Sequence, residues 1–285
     1  MKKFTLLISC IDRPGIVATV SSFLYETGLN ILESNQFGDL KTGRFFMRVA
    51  FTTADPADDV KKKELQDKFK DISEKFEMDW QLFDMNLNTP AIIMVSKFDH
   101  CLVDLLYRCR FGTLNMDIAA VISNHDTARE LVDREGIPFH HIPVTADTKQ
   151  DAETQIRKII SETSAELVIL ARYMQILSSD MTNSYPGKII NIHHSFLPSF
   201  KGAEPYSQAY HRGVKMIGAT AHYVTPNLDE GPIIAQQVVP VRHDMSVEDM
   251  IGAGQEIEQS VMAKAIRAHT EHRILLNEGK TVVFD

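Results

Sequence analysis

Between Ala91 and His193 short apolar runs alternate with helix-patterned segments, and that rhythm leaves few architectures open. The runs Ala91–Ser96, Asp117–Ser123, Phe139–Val144, Leu167–Leu170 and Lys188–His193 read as strands. Cys101–Arg110, Thr127–Arg134, Ala152–Thr163 and a short stretch near Ser179–Ser184 read as the helices between them. Strands joined through helices pair in parallel, so the expected class is α/β: a doubly wound, mostly parallel sheet with ligands at the strand carboxyl ends. A helix from Glu204 to His211, strands Ala219–Val224 and Ile233–Val241, and a last helix complete this part. That helix opens at Ser246-Val-Glu-Asp249, a capping-box-like start, and runs to about Ile274.

The first 85 residues have a different rhythm. An apolar strand over residues 4–11 meets the turn Asp12-Arg13-Pro14-Gly15, with Asp12 the expected cap and Pro14 near the first helical positions. Ile16, Val17, Val20, Phe23 and Leu24 follow at helical spacing, and Gly28 ends the helix. Strands Leu29–Gly38 and Arg44–Thr53 flank Asp39–Gly43. A charged amphipathic helix, Asp58–Phe76, turns Val60, Leu65, Phe69, Ile72 and Phe76 inward, and Met78–Met85 is a last strand. Strand-helix-strand-strand-helix-strand is a ferredoxin-like α+β unit. The expected division is therefore residues 1–85, a linker at 86–90 and a second domain over 91–285.

A net charge of −8 and a pI near 5.8 favour neither nucleic acid nor an anionic membrane as partner. Lys61-Lys62-Lys63, Lys68 and Lys70 alternate with acids and read as a solvated helix face. Cys10, Cys101 and Cys109 lack Cys-x-x-Cys spacing, so neither a disulfide framework nor a cysteine zinc site is expected. No run approaches the roughly 18 apolar residues of a membrane span. The opening Met-Lys-Lys-Phe-Thr-Leu-Leu-Ile imitates a signal peptide, but its apolar run stops at Asp12-Arg13, and it reads as a first strand. The cytoplasm is the expected compartment.

Two words carry chemistry. In Asn191-Ile-His193, residues two apart on a strand project to one face. Asp229, in Asp-Glu-Gly-Pro, adds a carboxylate from a Pro/Gly-bounded loop. An amide donor, an imidazole and a carboxylate suit attack on an acyl carbon: the amide for the oxyanion, the others for protons. His194 is expected to point away, and His222 either joins the site or packs in its strand. His140, His141, His193, His194 and His222 fall into no metal-ligand spacing, so no metal is expected.

Asn191-x-His193 followed by Ser195-x-Leu197-Pro198-x-x-x-Gly202, and later Asp229-x-Gly231-x-Ile233-Ile234, resembles the 10-formyltetrahydrofolate-dependent formyltransferases. Ile122-Ser123-Asn124 and Leu170-Ala-Arg-Tyr-Met-Gln-Ile-Leu-Ser178 extend the likeness over roughly residues 90 to 285. The resemblance implies folate between the 170–178 stretch and the loop before Asp229. Backbone groups near Gln175, Ile176 and Leu177 would meet the pterin, with Thr225–Asp229 closing over it. It makes Asn191, His193 and Asp229 the catalytic set. Asp12-x-Pro14-Gly15 in a ferredoxin-like unit resembles an ACT domain, which implies self-association and an amino-acid ligand near Asp12, Pro14 and Gly15; glycine or methionine, as inputs or products of one-carbon metabolism, is the expected effector.

One stretch departs from the pattern. The ribonucleotide-using members carry a Gly-Ser-Asn-type turn that wraps a phosphate. This chain has Val95-Ser-Lys-Phe-Asp-His-Cys-Leu102, with no glycine. Lys97 and His100 are expected among the substrate-binding residues, with Phe98 and His100 partly occupying the cosubstrate cleft. The Ser-Lys-x-x-His-Cys-Leu word beside an ACT-like unit resembles the hydrolytic, deformylating branch of the family. That implies 10-formyltetrahydrofolate as substrate, water as acceptor, tetrahydrofolate and formate as products feeding one-carbon and purine metabolism, and no cofactor. Transfer to an amine acceptor is the alternative.

Overall fold

The computed structural model describes residues 2–53, 60–198 and 205–285. Asp58 and Asp59 of the expected second helix, Ser199 to Gly202 of the formyltransferase-like word and Glu204 lie outside them. The chain divides into one unit of residues 1–88, 271–277 and 282–285, and another of residues 89–270 and 278–281.

The first unit runs β1 (Lys3–Ile11), α1 (Ile16–Glu26), β2 (Leu29–Asp39), β3 (Arg44–Thr53), α2 (Lys62–Phe76) and β4 (Asp79–Asp84). Its sheet is antiparallel in the order β2-β3-β1-β4. Phe4, Leu6 and Ile8 of β1 pack with Val20 and Leu24 of α1 and Leu65 and Phe69 of α2, as their spacing predicts. Asp12 does not cap α1. The N-cap is Gly15 at φ 95°, a left-handed conformation open to glycine, and no side chain caps it. Asp12 instead donates its backbone N–H to the Gly43 carbonyl at 2.9 Å.

The expected boundary assigned everything after residue 90 to the second domain, yet residues 271–277 and 282–285 belong with the first unit. The buried Arg48 holds them there, donating from Nε to the His272 carbonyl at 3.0 Å and from Nη2 to the Glu271 carbonyl at 3.2 Å. Two strands that the sequence reading missed, β12 (Ile274–Asn277) and β13 (Lys280–Val283), follow the last helix. Glu278 and Gly279 between them both have positive φ, as a two-residue turn requires.

The second unit contains β5 (Thr89–Val95), α3 (His100–Arg110), β6 (Met116–Ser123), α4 (Arg129–Arg134), β7 (Phe139–His141), α5 (Lys149–Glu162), β8 (Leu167–Leu170), α6 (Ser179–Ser184) and β9 (Ile189–His193). It continues with α7 (Pro205–Arg212), β10 (Met216–Tyr223), β11 (Ile233–Pro240) and α8 (Val247–Thr270). The sheet order is β11-β10-β9-β8-β5-β6-β7. Strands β5 to β9 are parallel, while β10 pairs antiparallel with both β9 and β11. From β5 the chain winds one way to β6 and β7, then returns to β8 on the opposite side. That reversal opens a crevice at the carboxyl ends of β5 and β8, the position where open α/β sheets bind ligands. Ser246 caps α8 as expected: its Oγ accepts from the Asp249 N–H at 3.1 Å, and Asp249 Oδ2 accepts from the Ser246 N–H at 2.8 Å. The helix stops at Thr270, earlier than its sequence reading.

His269 of α8 is buried, and its Nδ1 shares a hydrogen bond with the Tyr223 hydroxyl at 2.8 Å. Burial, reinforced by the Lys188 charge, pushes its pKa down to about 4. Burial also lowers His222, and lowers His194 to about 4. An unfolded imidazole takes its proton near pH 6.5, while these resist it, so between those values the unfolded chain binds more protons. Stability is therefore full above about pH 6.5 and falls as the pH drops toward 4. Thermal unfolding followed across pH 7 to 5 is expected to show that decline, and His269→Asn to flatten it. An unchanged slope in the variant would be the contrary result.

Candidate active site

The site rests on the pairing of β9 with β10. In that register Asn191 faces His222 and His193 faces Thr220. Asn191 and His193 share a face of β9, and the register of β10 with β11 shifts between Ala221 and His222. His222 Nδ1 lies 2.9 Å from the Tyr223 carbonyl, which can only accept, so Nδ1 carries the proton. Nε2 is then an acceptor, and Asn191 Nδ2 donates to it at 3.2 Å. Burial, outweighing that carbonyl bond and the Asp229 charge, lowers the His222 pKa and keeps the ring neutral. The contact fixes the Asn191 amide with its nitrogen toward His222 and leaves its second N–H for another partner.

Asp229 reaches the same face from the β10–β11 loop. Its Oδ1 lies 3.4 Å from His193 Nδ1 and 3.8 Å from His222 Nε2. The residue sits at φ 57°, which a side-chain-bearing residue rarely adopts. The turn is tight: a Cβ on Gly231 would lie 1.7 Å from the Tyr223 carbonyl oxygen. His193 is 6% exposed, and its Nε2 is buried with no hydrogen bond among the described residues. It lines a cavity of about 230 Å3 together with Asn191, His222 and Asp229.

Gln175, Ile176, Leu177 and Thr225 line the same cavity. The stretch after β8 is held at both ends. Ser96 Oγ accepts from the Met174 N–H at 2.9 Å and donates to Asn124 Oδ1 at 2.7 Å. Glu153 Oε1 accepts from the Ser178 N–H at 2.7 Å. Met174, Ile176 and Leu228 project exposed apolar side chains around the mouth, a feature of a ligand surface rather than of a core.

Lys97 and His100 do not join them. Lys97 is exposed and His100 faces away from the lining; its Nε2 meets Glu258 Oε2 at 2.8 Å. His194, expected to point away, lines the cavity with its ring 5.2 Å from that of His193. Strand β9 ends at His193, so strand alternation no longer applies there. Burial, then the Arg172 charge, lower the His194 pKa to about 4. In the first unit Asp12 and Gly15 flank the exposed turn before α1 with Pro14 between them.

The sequence reading missed a second cluster. Glu258 of α8 is 1% exposed, and its Oε1 accepts from the Tyr206 hydroxyl at 2.8 Å. Arg172, at φ 63°, places Nε 3.5 Å from Glu258 Oε2 and its guanidinium 5.5 Å from the Phe98 ring centroid. Burial would raise the Glu258 carboxyl, but the His100 bond and the Arg172 charge hold it below the usual range. A signal was available: Glu258 interrupts the apolar stripe of Met250, Gly254, Ile257, Val261 and Met262. A ring nitrogen of His100, Cys101 Sγ and a Glu258 oxygen lie within 4.8 Å of one another. Burial raises the Cys101 thiol, and the Glu258 oxygens already accept from the Tyr206 hydroxyl and meet His100 Nε2.

Residues 90–266 match the formyl transferase family and residues 4–66 match the ACT domain. Formyltetrahydrofolate deformylase of Corynebacterium sp. strain P-1 is 49% identical over 281 residues, covering 99% of this chain and 98% of its own. Its counterpart in Bacillus subtilis strain 168 is 48% identical over 284 residues, covering 99% of this chain and 94% of its own. The crystal structure of a formyltetrahydrofolate deformylase from Pseudomonas syringae pv. tomato superposes with a TM-score of 0.96 at 45% identity, covering 100% of this chain and 95% of that one.

Two glycines test the local geometry in opposite directions. Gly231→Ala drives a Cβ into the Tyr223 carbonyl and is expected to lower stability by more than about 1–3 kcal/mol. Gly252→Ala, on the exposed face of α8 with nothing within 4 Å of its Cβ, is expected to raise it by about 0.5–1 kcal/mol. Calorimetric unfolding of both variants reads the signs directly.

Proposed function

The chain belongs to the formyltetrahydrofolate deformylase family, and from that membership we propose that it hydrolyses 10-formyltetrahydrofolate to tetrahydrofolate and formate. The observation that carries the reading is the convergence of Asn191, His193 and Asp229 on one cavity, with Asp229 Oδ1 3.4 Å from His193 Nδ1. The exposed Met174, Ile176 and Leu228 offer an apolar surface to a pterin ring, and the backbone of Gln175, Ile176 and Leu177 offers it donors and acceptors. Thr225 begins the loop over its other side.

In the reaction the water oxygen bonds to the formyl carbon while Asp229 takes a water proton. The second N–H of Asn191 donates to the formyl oxygen as it becomes an oxyanion, a contact typically worth about 2.7–4 kcal/mol. His193, protonated or sharing a proton with Asp229 through Nδ1, adds Nε2–H to the same charge. It then gives that proton to the folate nitrogen as the carbon–nitrogen bond breaks, takes the second water proton from the nascent formic acid so that formate is left, and Asp229 returns the first to solvent. His222, neutral and accepting from Asn191, positions the amide rather than touching substrate. No step calls for a metal or a second organic cofactor. Formate released this way supplies one-carbon units for purine synthesis, and a cytoplasmic setting suits that role. Among the described residues no helix is long and apolar enough to cross a membrane.

Asp229→Asn keeps the shape of the carboxylate and removes the base. Hydrolysis by the purified variant is expected to fall about 100-fold or more, with folate binding largely retained. Near-normal turnover would overturn the assignment. Formyl transfer to glycinamide ribonucleotide by the wild type would favour the transferase alternative instead.

The first unit suggests assembly and regulation. Strand β2 is an edge strand of 11 residues, and Ile31, Leu32 and Phe37 along it are exposed. Such an edge is a template for pairing with another copy of the same strand, which supports a homo-oligomer. The left-handed Gly15 and the backbone amides opening α1 near Asp12 and Pro14 suit the carboxylate of glycine or methionine. A chain starting at Pro90 that stays as oligomeric as the full protein in sedimentation would refute the assembly. Calorimetry without heat for either amino acid, with unchanged kinetics, would refute the effector.

A further inference from the structure

Hydrolysis makes an anion: the formyl carbon leaves the folate nitrogen bearing the oxygen of water, as formate. That anion forms beside Asp229, whose carboxylate repels it once the proton taken from water has been released. Arg172 lines the same cavity, at the carboxyl end of β8. Its side chain is 10% exposed, and Nε and Nη1 are buried without a hydrogen bond among the described residues. Glu258 is its counter-ion at 3.5 Å, but that carboxylate already accepts from His100 and Tyr206. Its guanidinium carbon lies over the Phe98 ring, 5.5 Å from the centroid.

Two further features single this residue out. Its backbone lies at φ 63°, and the surrounding chain enforces that strain: the Arg172 carbonyl accepts from the Ser96 N–H at 3.3 Å, and the next turn is pinned by Ser96 Oγ. Buried donors without partners on a strained backbone call for an explanation other than stability. His194, between this cluster and His193, is neutral near pH 7 and offers no rival charge.

We propose that Arg172 is the binding site for the carboxylate product, formate, which it takes by charge-assisted N–H bonds as the anion leaves Asp229. The inference rests on the hydrolytic reading above. Arginine suits the task because its fork matches the two oxygens of a carboxylate.

The test is product inhibition of 10-formyltetrahydrofolate hydrolysis by formate, with formamide as the uncharged control. Formate is expected to inhibit the wild type and formamide not. In R172M the formate inhibition constant is expected to rise about tenfold or more, as loss of a charged hydrogen bond implies, while inhibition by tetrahydrofolate stays unchanged. R172K, with a point charge in place of the fork, is expected to fall between the two, and reports on the site even if R172M fails to fold by circular dichroism. Wild-type turnover indifferent to formate, or variants inhibited as strongly as the wild type, would overturn the proposal. Absence of wild-type turnover would strike the hydrolytic reading instead. Line broadening of 13C-formate by wild type but not R172M would then still support the site, and equal broadening would remove it.

Discussion

The antiparallel pairing of β9 with β10 is the contact on which the site depends. Five parallel strands deliver the crevice, but parallel strands alone do not place two polar side chains directly opposite each other above it. Pairing β10 antiparallel to β9 sets His222 across from Asn191 and Thr220 across from His193. The first pair orients an amide. The second holds the chain beyond the strand: Thr220 Oγ1 donates to the Ser195 carbonyl at 2.9 Å and accepts from the Leu197 N–H at 3.0 Å. Because side chains alternate along a strand, a slip of one residue would turn Asn191 and His193 to the opposite face.

A second constraint comes from α8. Glu258 carries a buried carboxylate into the unit and gathers His100, Tyr206 and Arg172 around it. Removing one member of such a buried set leaves an uncompensated charge, typically about 3–5 kcal/mol. The helix therefore fixes the turn after β5 and the turn after β8 at once. Those are the turns at which the strand order reverses, so one carboxylate shapes both sides of the crevice.

What the sequence made legible follows the range of the forces involved. Strand alternation is local, and it put Asn191 and His193 on one face without any knowledge of the fold. Local spacing likewise marked the Ser246–Asp249 cap. The failures lie where geometry depends on distant or terminal residues. Asp12 lost its capping role because the left-handed Gly15 comes between it and α1. The direction of His194 was misread because β9 ends one residue earlier. Arg172 sat inside a recognised word, but its partner is on α8 and nothing local pairs them. The likeness to known families found Asp229, which the residues alone allowed only as one carboxylate in one loop. It also grouped Lys97 and His100 with the folate residues, where a glycine-free turn was read as lining the cavity; Glu258 draws His100 elsewhere.

The electrostatics of the crevice bear on why water rather than an amine suits it. Burial keeps His222 and His194 uncharged, so the charges near the reaction centre are Asp229, Glu258, Arg172 and, in the reaction proposed above, His193. Glu258 is an ionised carboxylate already engaged by His100, Tyr206 and Arg172, so it is not open to an ammonium group. An incoming amine would arrive largely as a cation and meet the Arg172 guanidinium in a medium of low effective dielectric, where like charges repel more strongly than in water. Water carries no charge and meets no such barrier. The same guanidinium that disfavours an amine favours the anion that hydrolysis produces, so acceptor choice and product handling follow from one buried charge.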